Sequence, residues 1–294
     1  MPQPRRLPPQ IDPGPPLPDA YPALRVGAEF FMRGVDLLAQ AQSGSHIHGL
    51  IFMTLWHAQL GESQGKTMGV RALARTIGLP YETVRRHTLD LMRRGQCVKF
   101  KNGLMVPPHV LSRARNVALL RKLYLEATRM LGDLGRIGIA RIISGPRKLR
   151  IVGQLSKEQT DIAHAGMRSL LAGVRIAMDF ADGDLLKALV YSAIWTANVK
   201  HITSVTPTAF RTVLPDHLRR PVSVMAVANS LRLPYETTRR HAAALVDQGI
   251  CVRVGGRGIL VPAAFHQTRV DLAVRSHGIV LEFLTELRRA GIKV

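Results

Sequence analysis

One group of residues with reactive or hydrogen-bonding side chains occurs twice in this chain. Residues 70–87 read VRALARTIGLPYETVRRH and residues 224–241 read VMAVANSLRLPYETTRRH, with 11 identities in 18 positions at a spacing of 154. The shared residues include a tyrosine, a glutamate, a threonine and two adjacent arginines. A guanidinium can bind a phosphate, or the edge of a guanine, through two parallel hydrogen bonds. The repeated residues therefore predict a surface that binds nucleic acid and is present twice.

The composition agrees with a polyanionic partner. The 294 residues contain 41 Lys and Arg against 20 Asp and Glu, a formal net charge of +21. Such an excess favours nucleic acid first and an anionic membrane surface second. No apolar run is long enough to span a membrane, and the proline-rich start does not resemble a secretory signal. Two cysteines without a CxxC pattern favour a reducing compartment, so we expect a cytoplasmic, nucleoid-associated protein without a membrane partner.

The repeat extends beyond the central motif. At a spacing of 139, Gly34 aligns with Gly173 and Trp56 aligns with Trp195. The later spacing of 154 therefore places about 15 additional residues between Trp195 and Val224 in the second copy. We interpret the chain as a tandem repeat of one domain.

The predicted organisation has four parts. Residues 1–24 form a proline-rich tail expected to be disordered, 25–132 the first repeat, 133–165 a basic linker and 166–294 the second repeat. The PxxP spacing of the tail also suits a peptide-binding partner. Within each repeat we expect two helices, the central motif, a hairpin and a closing helix. The predicted helices cover 28–41, 45–60 and 110–132 in the first repeat, and 168–181, 184–199 and 264–290 in the second, with Ser45 and Asp184 as helix caps.

The central motif predicts two packed helices joined by a tight turn. Leu73, Ala74 and Ile77 supply small or apolar groups for the first helix, Gly78 suits the turn, and Pro80 suits the start of the second helix. On that second helix, a period of 3.6 residues separates two faces. The face predicted to be buried consists of Val84, His87, Thr88 and Leu91, and the face predicted to be exposed consists of Tyr81, Glu82, Arg85 and Arg86. In the second repeat, Arg232 replaces the turn glycine.

A hairpin follows the second helix in both repeats. Residues 95–107 contain Asn102-Gly103, a strong signal for a two-residue turn, and residues 251–261 contain a glycine-rich turn. Lys99, Lys101, Arg253 and Arg257 lie near the predicted hairpin tips, where they could reach the DNA backbone or minor groove. Cys97 and Cys251 occupy matching positions in the first strand, as packing groups or, alternatively, as redox sensors.

These features resemble the winged helix-turn-helix domains of bacterial transcription regulators, especially the GntR type, with MarR-like domains related more broadly. The matching pieces are residues 74–79, residues 83–85 and, in the second repeat, the Gly256-Arg-Gly258 of the wing. The resemblance covers about 45 residues per repeat. It implies a fold that is mainly α with small β-wings, namely two tandem winged helix-turn-helix domains related by internal duplication. It also implies that Thr83, Arg85, Thr237 and Arg239 contact DNA, although no effector domain follows.

The functional hypothesis is sequence-dependent binding of double-stranded DNA by a transcription regulator. One chain would act as an intramolecular pseudo-dimer on two related half-sites about 34 Å apart, one DNA turn. Arg93-Arg94 corresponds to Asp247-Gln248, so the first repeat is expected to bind more strongly. The full set of predicted DNA contacts is Tyr81, Thr83, Arg85, Arg86, Lys99, Lys101, Tyr235, Thr237, Arg239, Arg240, Arg253 and Arg257.

Other functions remain open at this stage. A plasmid or phage replication initiator also resembles a tandem winged-helix pair, and a winged-helix scaffold could instead dock a protein partner. Further self-association of the chain is a third possibility that the sequence leaves open. We find no Walker loop, nucleophile elbow or HExxH motif, and His46-x-His48 lacks a neighbouring carboxylate or cysteine cluster. The sequence therefore predicts no enzyme, catalytic residue, cofactor or metal site.

Overall fold

The structure, a computed structural model, describes residues 20–60, 67–140, 154–203, 213–256 and 258–294. This part of the chain is mainly helical, with one two-stranded and one three-stranded antiparallel sheet. The predicted class, mainly α with small β elements, is confirmed at that level. No helix within these ranges combines the length and the apolar character needed to cross a bilayer.

Eight elements follow one another in the first repeat. They are α1 (Ala20–Ala41), α2 (His46–Ala58), α3 (Val70–Ile77), α4 (Tyr81–Arg93), β1 (Val98–Phe100), β2 (Gly103–Met105), α5 (Pro108–Leu111) and α6 (Ala114–Arg136). Ser45 caps α2, because its hydroxyl accepts a hydrogen bond from the backbone N–H of His48 at 3.3 Å.

The second repeat has the same order of elements with two additions, a 3-10 helix at Asp216–Leu218 and a short strand. Its elements are α7 (Lys157–Phe180), α8 (Leu185–Thr203), β3 (Val222–Ser223), α9 (Val224–Leu231), α10 (Tyr235–Asp247), β4 (Val252–Val254), β5 (Gly258–Leu260), α11 (Ala263–Thr268) and α12 (Val270–Arg289). The added strand has a counterpart in the first repeat, where Met68 forms an isolated bridge with Leu104. Asp184 caps α8 by accepting from the Lys187 N–H at 3.0 Å.

Several predicted boundaries differ from the structure. Helix α1 begins at Ala20 instead of residue 28, so the predicted tail of 1–24 extends too far, and residues 1–19 lie outside the described part. Tyr21, Ala23 and Val26 are buried in its first two turns, where burial on all sides produces no helical period in the sequence. The predicted linker 133–165 is also too long, because α6 continues to Arg136 and α7 begins at Lys157. The basic residues Arg147, Lys148 and Arg150 at its centre lie outside the described residues.

Helix α7 begins earlier than predicted because a capping box starts it. The Ser156 hydroxyl accepts from the Gln159 N–H at 3.2 Å, and the Gln159 side chain accepts from the Ser156 N–H at 3.0 Å. This reciprocal pair satisfies two backbone donors that the first turn of a helix leaves free. The Ser-x-x-Gln pattern was therefore the sequence signal for the true start of the second repeat.

The two repeats share one core through their long helices. α6 packs on α7, and α1 packs on α12; α1 also packs on α8, and α7 packs on α2. Because α1, α2 and α6 correspond to α7, α8 and α12, each of these contacts has an equivalent in which the two repeats exchange places. Each repeat thus covers the first two helices of the other. Gly34 permits the close approach of α1 and α7, because a Cβ there would lie 2.7 Å from the Leu170 side chain. One large apolar cluster accordingly contains buried residues from α1, α6, α7 and α12.

An amide side chain attaches each hairpin to the helical body. In the first repeat, Gln59 donates to the Val106 carbonyl at 3.0 Å and accepts from the Val106 N–H at 2.9 Å. In the second, Asn198 accepts from the Val261 N–H at 2.9 Å and donates to the Ile259 carbonyl at 3.1 Å. These positions correspond at the spacing of 139. The hairpins are thus fixed relative to α2 and α8 by equivalent bonds.

Candidate nucleic-acid interface

Helix α4 presents the face that its sequence pattern predicts. Val84, Thr88 and Leu91 are buried against the helices beneath it. Tyr81 is 41% exposed, and Arg85 and Arg86 are exposed as well. The preceding turn ends at Gly78 with φ 82°, the left-handed conformation that glycine adopts without a steric cost.

Helix α10 presents the same residue types at the equivalent positions. Thr238, Ala242 and Leu245 are buried, whereas Tyr235 is 45% exposed and both Arg239 and Arg240 are exposed. Thr83 and Thr237 are half-buried at the matching place on each helix. The exposed side chains lie in the first two turns, the part of a recognition helix that contacts base edges.

The turn before α10 keeps its geometry without glycine. Arg232 adopts φ 53°, the left-handed region, and its guanidinium lies 3.1 Å from the Asp36 carboxylate of α1. In the first repeat the roles are exchanged, because Arg175 of α7 donates to the Arg75 carbonyl beside the turn. Each turn therefore contacts the first helix of the opposite repeat through an arginine. In the second repeat the turn supplies this arginine, and in the first repeat the opposite helix supplies it.

A glutamate orients one arginine on each helix. The Arg85 guanidinium donates to Glu82 at 2.8 Å, and the Arg239 guanidinium donates to Glu236 at 2.6 and 2.8 Å. The hydrogen bond from Arg239 lowers the pKa of Glu236, and the bond to Glu82 raises the pKa of Arg85. Within the described ranges, Arg86 and Arg240 have no ion pair, so these two guanidinium groups are the more available ones.

Sequence reasoning missed one arginine beside α4. The Arg71 guanidinium lies 5.9 Å from the centroid of the Tyr81 ring, a cation–π distance. The equivalent position in the second repeat is Met225, which is 52% exposed. The first repeat also ends its helix with exposed Arg93 and Arg94, where the second has Asp247 and Gln248. The surface around α4 is thus the more basic of the two.

The hairpins place the predicted basic residues on the surface, with one correction to the turn. Lys99, Lys101 and Arg253 are exposed, and Arg257 lies outside the described residues. The turn consists of Lys101 and Asn102, not Asn102 and Gly103, because Phe100 pairs with Gly103. A Cβ on that glycine would lie 2.7 Å from Thr67, so its small size is needed for strand packing.

Apolar side chains accompany the basic ones on both hairpins. Val98 and Phe100 are exposed by 39% and 45%, and their equivalents Val252 and Val254 by 39% and 41%. The Lys101 ammonium lies 5.6 Å from the centroid of the adjacent Phe100 ring. No hydrogen bond or ion pair connects Lys99 or Lys101 to α4 in the part of the chain that is described. The hairpin residues and the helix residues therefore form separate portions of the candidate surface.

A histidine cluster supports α4 from beneath. His48 Nε2 lies 3.1 Å from His87 Nδ1 and 3.2 Å from Asp90, and Arg94 pairs with the same carboxylate at 2.7 Å. Burial lowers the pKa of His48, and the neighbouring His87 and Arg94 lower it further. In the second repeat Lys187 replaces His48, and His241 lies 3.4 Å from Asp184 instead. The residue that supports the histidine thus differs between repeats, although the exposed Tyr, Glu and two Arg at the start of each helix are the same.

The two cysteines are buried behind the hairpins. Burial raises the pKa of the Cys97 thiol to about 11 and that of the Cys251 thiol to about 12. Both thiols are therefore protonated at neutral pH, the form that packs as a small apolar group.

No family model matches this chain, and no curated protein or solved structure shows significant similarity to it. The resemblance to GntR-type domains accordingly stays a prediction from the sequence.

Proposed function

We propose that this protein binds double-stranded DNA in a sequence-dependent manner and acts as a transcription regulator. Each repeat is proposed to be a winged helix-turn-helix domain, with α4 and α10 as recognition helices and the two hairpins as wings. One chain would then act as an intramolecular pseudo-dimer on two related half-sites. Association with the nucleoid in the cytoplasm follows from this proposal.

The observation that carries the proposal is which residues the two repeats have in common. In the first two turns of α4 and α10 the four exposed residues are of the same types, Tyr, Glu, Arg and Arg, and each helix has a half-buried Thr beside them. A residue beneath each helix differs, His48 against Lys187, and the turn before each helix differs as well, with Gly78 against the exposed Arg232. If the exposed residues had no function, nothing would keep them the same while residues in contact with the helix changed. The shared side chains include the arginines that bind guanine or phosphate most effectively.

The exchanged packing of the long helices supports the pseudo-dimeric arrangement. α1 and α7 each contact the helices of the opposite repeat, as subunits do across a twofold interface. The net charge of +21 supports a polyanion as the partner. A protein-docking scaffold is the second candidate, favoured by the exposed valines and phenylalanine of the hairpins.

Binding to labelled duplex DNA, measured by fluorescence anisotropy across a salt series, tests the proposal. We expect affinity to fall steeply as salt rises, because phosphate binding releases counterions. The double variants Arg85→Ala/Arg86→Ala and Arg239→Ala/Arg240→Ala should each weaken binding by about tenfold or more, since base or phosphate contacts are lost. The first variant should have the larger effect because its repeat is the more basic.

The chain offers a matched control for these substitutions. Arg288 and Arg289 are another adjacent, exposed pair, at the end of α12 and away from either proposed recognition helix. Their double alanine variant removes the same charge and should change affinity by less than about threefold. Equal losses of DNA affinity in all three variants would mean that net charge alone explains the binding. Binding that is absent, or that does not change with salt, would favour the protein-docking scaffold.

A further inference from the structure

A cavity of about 560 Å³ lies between the two repeats, and its lining includes none of the described residues that are proposed to contact DNA. Its walls come from α1 of the first repeat and from α7, α8, α11 and α12 of the second. The lining is mainly apolar and includes the aromatic rings of Phe30, Phe31, Phe180, Tyr191 and Trp195. This volume falls in the range of small-molecule sites, which are mostly apolar with a few placed polar groups.

A chain of polar groups crosses the cavity wall. The Tyr21 hydroxyl lies 3.2 Å from His266 Nδ1, and the Tyr191 hydroxyl lies 3.3 Å from His266 Nε2. Burial lowers the pKa of His266 to about 3, and the charge of Arg219 contributes. The imidazole is therefore neutral at physiological pH, so one ring nitrogen donates and the other accepts. The two hydroxyls are held in fixed and opposite roles.

One donor in the wall is left over. Trp195 Nε1 is buried and has no hydrogen-bond partner among the described residues. A buried N–H without an acceptor costs free energy, and such groups are rare in proteins. The Arg269 guanidinium also lines the cavity, 5.7 Å from the centroid of the Phe180 ring and 3.3 Å from the Asp271 carboxylate. One residue of the wall thus has an unsatisfied N–H, and a guanidinium lies next to the aromatic rings.

The equivalent region of the first repeat keeps the tryptophan, as Trp56, but not the tyrosine and histidine of the polar chain. Phe52 corresponds to Tyr191 at the spacing of 139, and Leu111 corresponds to His266 at a spacing of 155, which applies after the hairpin, where Val106-Pro107 aligns with Val261-Pro262. At the corresponding glycines, a Cβ on Gly34 would lie 2.7 Å from Leu170, whereas a Cβ on Gly173 would lie 3.5 Å from Phe31. One side is therefore apolar and closely packed. The second repeat has polar residues in place of these apolar ones, and Gly173 has room for a Cβ beside it.

We propose that this cavity is a binding site for an aromatic small molecule that carries an oxygen acceptor, such as a sulfonate or carboxylate. The rings of the ligand pack against the phenylalanines, Trp195 donates to the acceptor oxygen, and Arg269 balances a negative charge. This site does not depend on DNA binding, so either proposal can fail without the other.

Anilinonaphthalene sulfonate is a suitable probe because it combines two aromatic groups with an anionic acceptor and fluoresces in apolar sites. We expect saturable binding of one probe per chain. Gly173→Leu extends a side chain into the cavity and should weaken binding by at least about tenfold while keeping Tm at or above that of the parent, since Gly is a poor helix former. Gly132→Leu, on α6 with open space around it, is the matched control and should bind normally.

A second pair of variants tests the proposed donor. Trp195→Phe keeps an aromatic ring but removes the N–H, and should weaken probe binding by about 3- to 10-fold. Trp56→Phe is the corresponding change in the first repeat and should leave affinity unchanged. The proposal is overturned if the parent protein binds no probe saturably, or if Gly173→Leu binds it as tightly as Gly132→Leu does. Equal effects of the two tryptophan substitutions would remove Trp195 from the site.

Discussion

At the scale of single residues, the glutamates on α4 and α10 have two opposed effects. Each carboxylate orients an arginine, but each also adds a negative charge to a surface proposed to meet DNA phosphates. Ion pairs between exposed groups are weak and are screened by salt. The repulsion should therefore decide the outcome when a polyanion approaches.

We predict that Glu82→Gln, alone or with Glu236→Gln, strengthens binding to duplex DNA by about two- to tenfold on every sequence. Glutamine keeps the size and a side-chain oxygen but removes the charge. Anisotropy titrations on several unrelated duplexes measure the effect, with Glu282→Gln on α12 as the control. Weaker binding, confined to one sequence, would instead mean that Glu82 positions Arg85 or accepts from a cytosine.

His266 predicts a specific dependence of stability on pH. Its pKa falls from the ordinary 6.5 to about 3 on folding, chiefly through burial, with Arg219 contributing. The unfolded chain therefore binds the proton more readily than the folded chain. The contribution of His266 to the free energy of unfolding is complete above pH 6.5 and declines as pH falls towards 3. The decline is about 1.4 kcal/mol per pH unit, or about 2 kcal/mol between pH 7 and 5.

Urea unfolding at pH 7 and pH 5 measures this loss. His266→Leu, which restores the residue type found in the first repeat, should remove about 2 kcal/mol of the pH-dependent difference. His109→Leu changes an exposed histidine and should leave that difference intact. Identical pH dependence in the two variants would show that His266 is not held neutral by the fold.

Among the structural elements, the two turns before the proposed recognition helices have the same backbone conformation with different residues. Gly78 and Arg232 both adopt the left-handed conformation, with φ 82° and 53°. A side chain in that region costs roughly 1 kcal/mol. The arginine recovers part of that cost through its ion pair with Asp36, a partly exposed pair worth at most about 1 kcal/mol.

We predict that Gly78→Ala destabilises the protein and that Arg232→Gly does not. Gly78→Ala should destabilise the protein by about 1–2 kcal/mol, because it adds left-handed strain and brings a Cβ within 3.3 Å of Met178. Arg232→Gly should lie between no change and about 1 kcal/mol of stabilisation. Urea denaturation gives both values, and destabilisation by both substitutions would contradict this account of the turns.

The sequence was a good guide to elements with a strong periodic pattern. The burial of Val84 and Leu91 and the exposure of Arg85 followed from the period of the helix alone. The hairpin turn was misplaced by one residue, because Asn-Gly is favoured in turns while the contact between Gly103 and Thr67 is tertiary. The start of α1 was missed because the helix is stabilised by packing against the second repeat.

The polar array around His266 lay beyond the reach of the sequence alone. Tyr21, Tyr191 and His266 come from three helices that are far apart in the chain, so no spacing rule connects them. The available signal was the comparison of the repeats with each other. Replacement of a core phenylalanine and leucine by tyrosine and histidine marks a position where packing alone does not explain the residue.

At the scale of the whole molecule, the exchanged packing implies that one repeat cannot be complete by itself. Separating the repeats would uncover the faces of α1 and α6 that pack on α8, α12 and α7. A second copy of the same fragment could cover them, since the repeats correspond element by element. Large uncovered apolar faces favour association.

We therefore predict that a fragment of residues 20–140 forms a symmetric homodimer, whereas the full chain needs no second copy for this purpose. Light scattering coupled to size-exclusion chromatography gives the mass of each, and circular dichroism establishes that the fragment is helical. A helical, monomeric fragment would show that each repeat has an independent core. That result would weaken the pseudo-dimer without affecting the recognition helices.

The most direct test of the central claim is selection of double-stranded DNA fragments by the intact protein at near-physiological salt, followed by sequencing. The account predicts enrichment of a two-part motif whose halves are related, because α4 and α10 present the same residues. The Arg85→Ala/Arg86→Ala variant should lose one half while keeping the other. If the protein retains no duplex DNA and enriches no motif, these two helices do not form a DNA-binding surface.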